Sequence, residues 1–157
     1  DPYYLAFKSQ SLGYNPEVIL SGRKVNDNMG NFVATRFIRL MKANSIKVLK
    51  SKVLLLGITY KENCPDIRNS KIPSVSRLLE ENGINVDVYD PHASNSEVFD
   101  IYGIKLIENL SIYDGIILAV SHNEFKGLDF KNLKKNNESV IFDIKSFLSK
   151  DMVDLRL

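Results

Sequence analysis

The sequence predicts an α/β fold: a parallel sheet with flanking helices, preceded by a long amphipathic helix. Three observations carry this reading. Short apolar runs at residues 52–58, 115–120 and 139–143 have the length and composition of strands buried on both faces. Helical stretches separate them, giving the β-α-β-α order of a parallel sheet. Upstream, Val25, Met29, Phe32, Val33, Phe37, Leu40 and Met41 recur at helical spacing.

Each element has a local cause. Residues 3–12 form a short helix that stops at Gly13, and Gly13-Tyr14-Asn15-Pro16 is a turn. Pro16 is placed to open another short helix. From Val25 to Ile46 runs an amphipathic helix of about 20 residues, roughly 30 Å long at 1.5 Å per residue. Arg36, Arg39 and Lys42 fall between its apolar positions. That stripe is wide and aromatic, more than one small domain covers unaided, so part of it should meet a partner subunit or another part of the protein. Residues 1–47 therefore form a helical segment, and residues 48–157 a Rossmann-like α/β domain.

Within that domain, Lys52–Ile58 is the first strand. Residues 71–82 are a helix with Ile72, Val75, Leu78 and Leu79 inward and Gly83 as its stop. Asn85–Tyr89 is the second strand, closed by Asp90-Pro91. Residues 94–102 are helical, Lys105 and Leu106 make a short edge strand, and Gly115–Val120 is the third buried strand. Residues 129–135 form a short helix or turn, and Ser139–Asp143 is the last clear strand.

Bulk properties narrow the function classes. Hydrophobic residues at 44% and charged residues at 25% are ordinary for a globular domain. No apolar run approaches the 18 or so residues of a membrane span. The opening DPYYLAFKSQ lacks the basic-then-apolar form of a secretory leader and reads as the edge of a domain fragment. A single cysteine, Cys64, excludes an internal disulfide framework and fits a reducing cytoplasm. With only His92 and His122 beside it, no metal-ligand spacing exists. Residues 1–50 hold eight Lys/Arg against three Asp/Glu, while the remainder holds 13 against 16. This basic first third suits a solvated helix face, an anionic ligand or an acidic partner surface. No basic run interleaves with aromatics, so nucleic-acid binding is not indicated.

In open parallel sheets, ligands bind beyond the carboxyl ends of the strands. Here those ends are Gly57-Ile58-Thr59-Tyr60-Lys61, Asp90-Pro91, Ser121-His122-Asn123 and Asp143-Ile144-Lys145. Lys61 and Lys145 on two strand ends suit an anion such as a diphosphate, with Tyr60 offering a flat apolar face. The first strand has one glycine and then a long polar loop in place of G-x-G-x-x-G, which argues against an ordinary NAD site. Asp90 lies 33 residues after Gly57, beyond the usual spacing of about 20 for a ribose-binding carboxylate, and is read as a turn-former with Pro91. Cys64 has Lys61 and Arg68 near it in sequence but no histidine, and is read as inert rather than nucleophilic.

The loop LGITYKENCPDIRNS, residues 56–70, resembles the signature loop of the UDP-glucose/GDP-mannose dehydrogenase family, above all the branch that oxidises UDP-N-acetylhexosamines for surface polysaccharides. DPYYLAFKSQ resembles the segment following that branch's catalytic Gly-Gly-His-Cys motif. GRKVNDNMG is similar to the start of the family's central helix, and VDVYDPHAS and IFDIKS to later strand ends. The resemblance implies a full enzyme with an N-terminal NAD domain, a central helix that forms the dimer, and a C-terminal UDP-binding domain. Such an enzyme oxidises the sugar C6 alcohol to a carboxylate with two NAD per turnover, through a cysteine thioester. This chain would then be the C-terminal portion, binding the UDP end of the sugar and dimerising through residues 25–46, inactive by itself.

By the same resemblance, Asp1 matches an acidic residue that orients water for thioester hydrolysis. Tyr60 and Lys61 match an aromatic-lysine pair on the nucleotide-sugar, and Arg68 an arginine reaching toward NAD. Arg23 matches an arginine entering the neighbouring subunit's sugar site. Lys145 stands where the family usually has arginine, so its contact is a point charge rather than a bidentate fork. Cys64 is not the family's nucleophile. The alternative, a receiver-like or regulatory nucleotide module without catalysis, would want an acidic pair after the first strand, which this chain lacks.

Overall fold

The computed structural model describes residues 2–157. Five strands form one all-parallel sheet in the order β2-β1-β3-β4-β5. They are β1 Lys52–Leu56, β2 Asn85–Tyr89, β3 Gly115–Leu118, β4 Val140–Asp143 and β5 Leu155–Arg156. The helices are α1 Pro2–Ser11, α2 Glu17–Ala43, α3 Ile72–Glu81, α4 Asn95–Tyr102 and α5 Phe130–Leu133.

The pleat sorts the strand residues into two cores. Val53, Leu55, Ile117, Val140 and Phe142 face α2, α3 and α4, where Val33, Phe37, Met41, Val75, Leu79 and Val98 meet them. Leu54, Leu56, Ile116, Leu118 and Ile141 face the other way, onto Tyr113, Phe125, Phe130 and Leu133. Burial on both faces is why β1, β3 and β4 read as continuous apolar runs. Phe37 of α2 stacks on Phe142, ring centroids 6.5 Å apart. A Cβ on Gly115 would lie 2.6 Å from the Phe37 ring, so the helix sits directly on the sheet there.

Helix α2 is longer than the periodicity predicts. It starts at Glu17, absorbing the separate short helix expected at Pro16, and spans 27 residues, about 40 Å. Gly22 and the polar residues around it interrupt the apolar pattern, which is why the sequence reading begins only at Val25. The helix ends earlier, at Ala43, because Ser45 takes φ 59° and Ile46 N–H closes back on the Met41 carbonyl. This is the Schellman arrangement with serine in the usual glycine place. Gly30 is the close crossing with α3: a Cβ there would meet Ser74 Oγ at 2.2 Å.

Two further differences concern the sheet edges. Lys105 and Leu106 form no ladder; Leu106 makes a single parallel bridge to Val88. Ser139–Asp143 is not the last strand, since Leu155–Arg156 pairs with Phe142 and Asp143. Two residues carry no readable period. Among the described residues no helix is long and apolar enough to cross a membrane.

Candidate functional site

The strand order reverses between β1 and β3, so their carboxyl ends diverge from a common point. Gly57 makes the exit from β1. Its φ is +92°, and a Cβ would lie 2.5 Å from Val120 Cβ and 3.0 Å from Val120 N. Only glycine tolerates both the backbone angle and this approach. The chain that follows is thereby pressed against the end of β3.

Asp90, at the end of β2, organises this point. It is only 6% exposed. One carboxylate oxygen, Oδ2, accepts from Ile58 N–H at 2.7 Å and Thr59 N–H at 3.1 Å. The other, Oδ1, accepts from His92 N–H at 2.8 Å and Ala93 N–H at 3.1 Å. The second pair is the turn-forming role expected with Pro91; the first, which ties β2 to the β1 exit, has no signature in the sequence. Burial pushes the carboxyl pKa up, but hydrogen bonds from His122, Ile58 and His92 overcome that and hold it at about 2. His122 is fully buried, with Nε2 3.1 Å from Asp90 Oδ2 and 3.0 Å from Thr59 Oγ1. Its Nδ1 accepts from Asn63 N–H at 2.9 Å.

Beside this network lies an open cleft of about 200 Å³. Its walls are Thr59 and Tyr60 from the β1 end, Ala119 and Val120 from the β3 end, Lys145 from the β4 end, residues 69–72 at the start of α3, and Asn26 of α2. Asn26 arrives there because α2 crosses α3 at Gly30, one turn further on. Lys71 is held to Asp27 by a 2.8 Å ion pair that fastens the same crossing.

The residues singled out in the sequence fall as follows. Tyr60, 60% exposed, and Lys145 share the cleft. Lys61 is exposed next to Tyr60 but is not part of the lining. Arg68 turns back on Asp66, with Nε and Nη2 each 2.9 Å from a different carboxylate oxygen. The Arg68 hydrogen bonds hold the Asp66 carboxyl at about 2. Arg23 lies with its guanidinium carbon 3.8 Å from the Tyr3 ring centroid, a cation–π contact within the chain. Asp1 lies outside the described residues. Cys64 is a free thiol, half-buried in the loop. No metal-binding cluster occurs among the described residues.

Sequence reasoning did not pick out Asn26, Asn69, Ser70 and Lys71 as lining residues. Asn69 is the one with a usable signal: it has φ 62°, and asparagine is the residue that best tolerates that region outside glycine. No dinucleotide cradle follows β1. Residues 57–71 separate β1 from α3, and the one glycine among them is consumed in packing on Val120. The β1 turn of this chain therefore does not fit the pyrophosphate of NAD.

A sequence profile described as the UDP-glucose/GDP-mannose dehydrogenase family, UDP binding domain, matches residues 54–150. The chain belongs to this family. It is 47% identical over its whole length to a UDP-N-acetyl-D-glucosamine 6-dehydrogenase from Pseudomonas aeruginosa, and 44% identical to one from Salmonella typhi. It spans 38% of the length of each of these relatives. Among solved structures, a UDP-N-acetyl-mannosamine dehydrogenase from Staphylococcus aureus superposes with TM-score 0.71 at 27% identity, over 99% of this chain and 35% of that one. A UDP-glucose dehydrogenase from Pyrobaculum islandicum shares the fold at TM-score 0.75 and 22% identity, with 99% and 35% coverage.

Proposed function

We propose that this family member holds the UDP end of a UDP-N-acetylhexosamine and dimerises, as the C-terminal part of an NAD-dependent nucleotide-sugar 6-dehydrogenase serving surface polysaccharide synthesis. The observation that carries the reading is the cleft at the strand-order reversal, which Tyr60 and Lys145 both line. Lys145 makes no ion pair among the described residues and offers a charge to a diphosphate; Tyr60 offers a flat face to a base or sugar. Lys61, one residue on, is exposed and supplies a second cation at the rim.

NAD, as hydride acceptor, belongs in this reading to the part of the relatives' length that lies beyond this chain. Arg68 is the residue of this chain assigned to reach toward it, and doing so requires it to leave Asp66. Asp1 keeps the role of orienting water for thioester hydrolysis. The isolated chain is accordingly inactive. The setting is cytoplasmic, which fits a lone free cysteine.

Residues 1–47 form the dimerisation segment of this reading and residues 48–157 the UDP-sugar domain. Val33, Phe37 and Met41 are spent on the chain's own core. Val18, Val25 and Phe32 remain exposed at seven-residue spacing on α2, the repeat of a helix–helix seam. A second copy packing there would bring Arg23 toward the neighbouring cleft after release from Tyr3.

Titration calorimetry of the chain with UDP and UDP-N-acetylglucosamine tests the binding half. Saturable binding of UDP that is weakened by K145A is expected; no heat at millimolar UDP would sink it. Sedimentation equilibrium tests the dimer, and a monomer at all concentrations up to about 100 μM, where even a Kd near 1 μM would be saturated, would remove that part alone.

A further inference from the structure

We infer that His122 is a positioning residue for the cleft: its neutral imidazole clamps the loop that carries Tyr60 and Lys61. The inference rests on the reading of the cleft as a UDP-sugar site. The side chain is fully buried, shares hydrogen bonds with three groups and packs against two aromatic rings. A backbone N–H can only donate, so the Asn63 N–H at 2.9 Å fixes Nδ1 as a bare acceptor. Nε2 then carries the proton and shares it between Asp90 Oδ2 at 3.1 Å and Thr59 Oγ1 at 3.0 Å. Both ring nitrogens are thus assigned, and the tautomer is set by its partners.

The clamp is reciprocal. Asn63 Oδ1 accepts from Asn123 N–H at 3.0 Å, so the loop and the segment after β3 grip each other at two points. Asn63 has φ 54°, a conformation that directs its N–H inward to the imidazole. Tyr60 and Lys61 lie between two fixed points: Thr59, whose N–H is held by Asp90, and Asn63, held by His122. Tyr60 N–H also closes onto the Asp66 carbonyl at 2.7 Å. Phe125 packs edge-on against the imidazole, 5.2 Å between centroids, and His92 covers it at 4.6 Å. The ring therefore has no freedom to turn. A loop of polar residues would otherwise sample many conformations, and Tyr60 and Lys61 with it.

The two amide replacements separate the two nitrogens. Asparagine places an acceptor near the Nδ1 position and glutamine a donor near the Nε2 position. In the 157-residue chain, H122Q should weaken UDP binding by about tenfold, corresponding to one lost buried hydrogen bond, and H122F, which loses the bonds at both nitrogens, by at least as much. H122N should recover most of the loss. A merely structural role for His122 would rank the three by thermal stability instead. In wild-type chain, without any variant, the long-range nitrogen spectrum of His122 should show protonated Nε2 and bare Nδ1. The Asn63 amide should be strongly protected from hydrogen exchange and lose that protection in H122Q. A wild-type His122 with Nδ1 protonated, or H122Q binding UDP as tightly as wild type, would overturn the inference. If wild type binds no UDP, the cleft reading fails and the positioning role with it, whereas the exchange and nitrogen data still decide whether the clamp exists.

Discussion

Replacing Asp90 with asparagine removes one charge and one acceptor while leaving the volume unchanged. The carboxylate accepts four backbone N–H groups and faces the buried His122 Nε2. An amide has a single acceptor oxygen. With that oxygen turned to Ile58 and Thr59, the new NH2 points at the His92 and Ala93 N–H groups; with it turned the other way, the NH2 faces the buried pair and His122. Either orientation sets donors against donors and leaves two backbone N–H groups unpaired. At about 1–3 kcal/mol for each buried unsatisfied group, D90N should cost roughly 3 kcal/mol. For a chain of this length that corresponds to a fall in Tm of about 6–12 °C. Urea unfolding at neutral pH with an unchanged m-value measures it directly. The same carboxyl provides an independent check. Its pKa falls from 3.8 to about 2 on folding. A depressed folded pKa contributes stability that is complete above the unfolded value and lost as pH falls through the folded one. Wild type should therefore shed about 2 kcal/mol between pH 5 and pH 1.5 from this group, and D90N should lack that component. If D90N lies within 1 kcal/mol of wild type and shows the same acid profile, Asp90 does not organise the strand ends.

Three other outcomes follow from particular contacts. G57A forces a side chain into φ +92° against the Val120 backbone and should cost about 3 kcal/mol or more, read as a lower melting temperature. F37A empties the centre of the α2–sheet contact, where the ring is fully buried and stacked on Phe142, and should cost about 3–5 kcal/mol in urea unfolding. K145A should lower UDP affinity by about tenfold with little change in stability, while K145R, which supplies a fork in place of a point charge, should bind at least as well as wild type in calorimetry.

The sheet was legible because β1, β3 and β4 are apolar on both faces and the helices between them have clear stops. Gly83 and Gly103 sit at positive φ, 77° and 71°, just after the helices they end. The start of α2 was not legible: its first two turns bury no residue fully, Val18 is 87% exposed and Ile19 and Leu20 are only half-buried, so there is no periodic burial pattern to read. In the site, Tyr60 and Lys145 are legible because they follow strand ends, and topology alone puts those ends together. Asn26 could not be found that way. It reaches the cleft through a helix crossing at Gly30, a tertiary event between residues more than 40 apart in sequence. His122 is on a strand end as well, but its importance lies in one backbone donor, a threonine hydroxyl and a carboxylate, none of which has a sequence spacing.

The crossing at Gly30 also sets a gear ratio. Helix α2 is a stiff rod, gripped by the sheet from Val33 onward and crossing α3 at Gly30. From that fulcrum Glu17 is about 20 Å away and Asn26 about 6 Å, at 1.5 Å per residue. Any tilt imposed on the far tip reaches the cleft wall reduced roughly threefold, so a displacement of about 1 Å at Glu17 shifts Asn26 by only about 0.3 Å. The tip that offers Val18 outward can thus shift against its surroundings while the wall that the same helix contributes to the cleft stays nearly still.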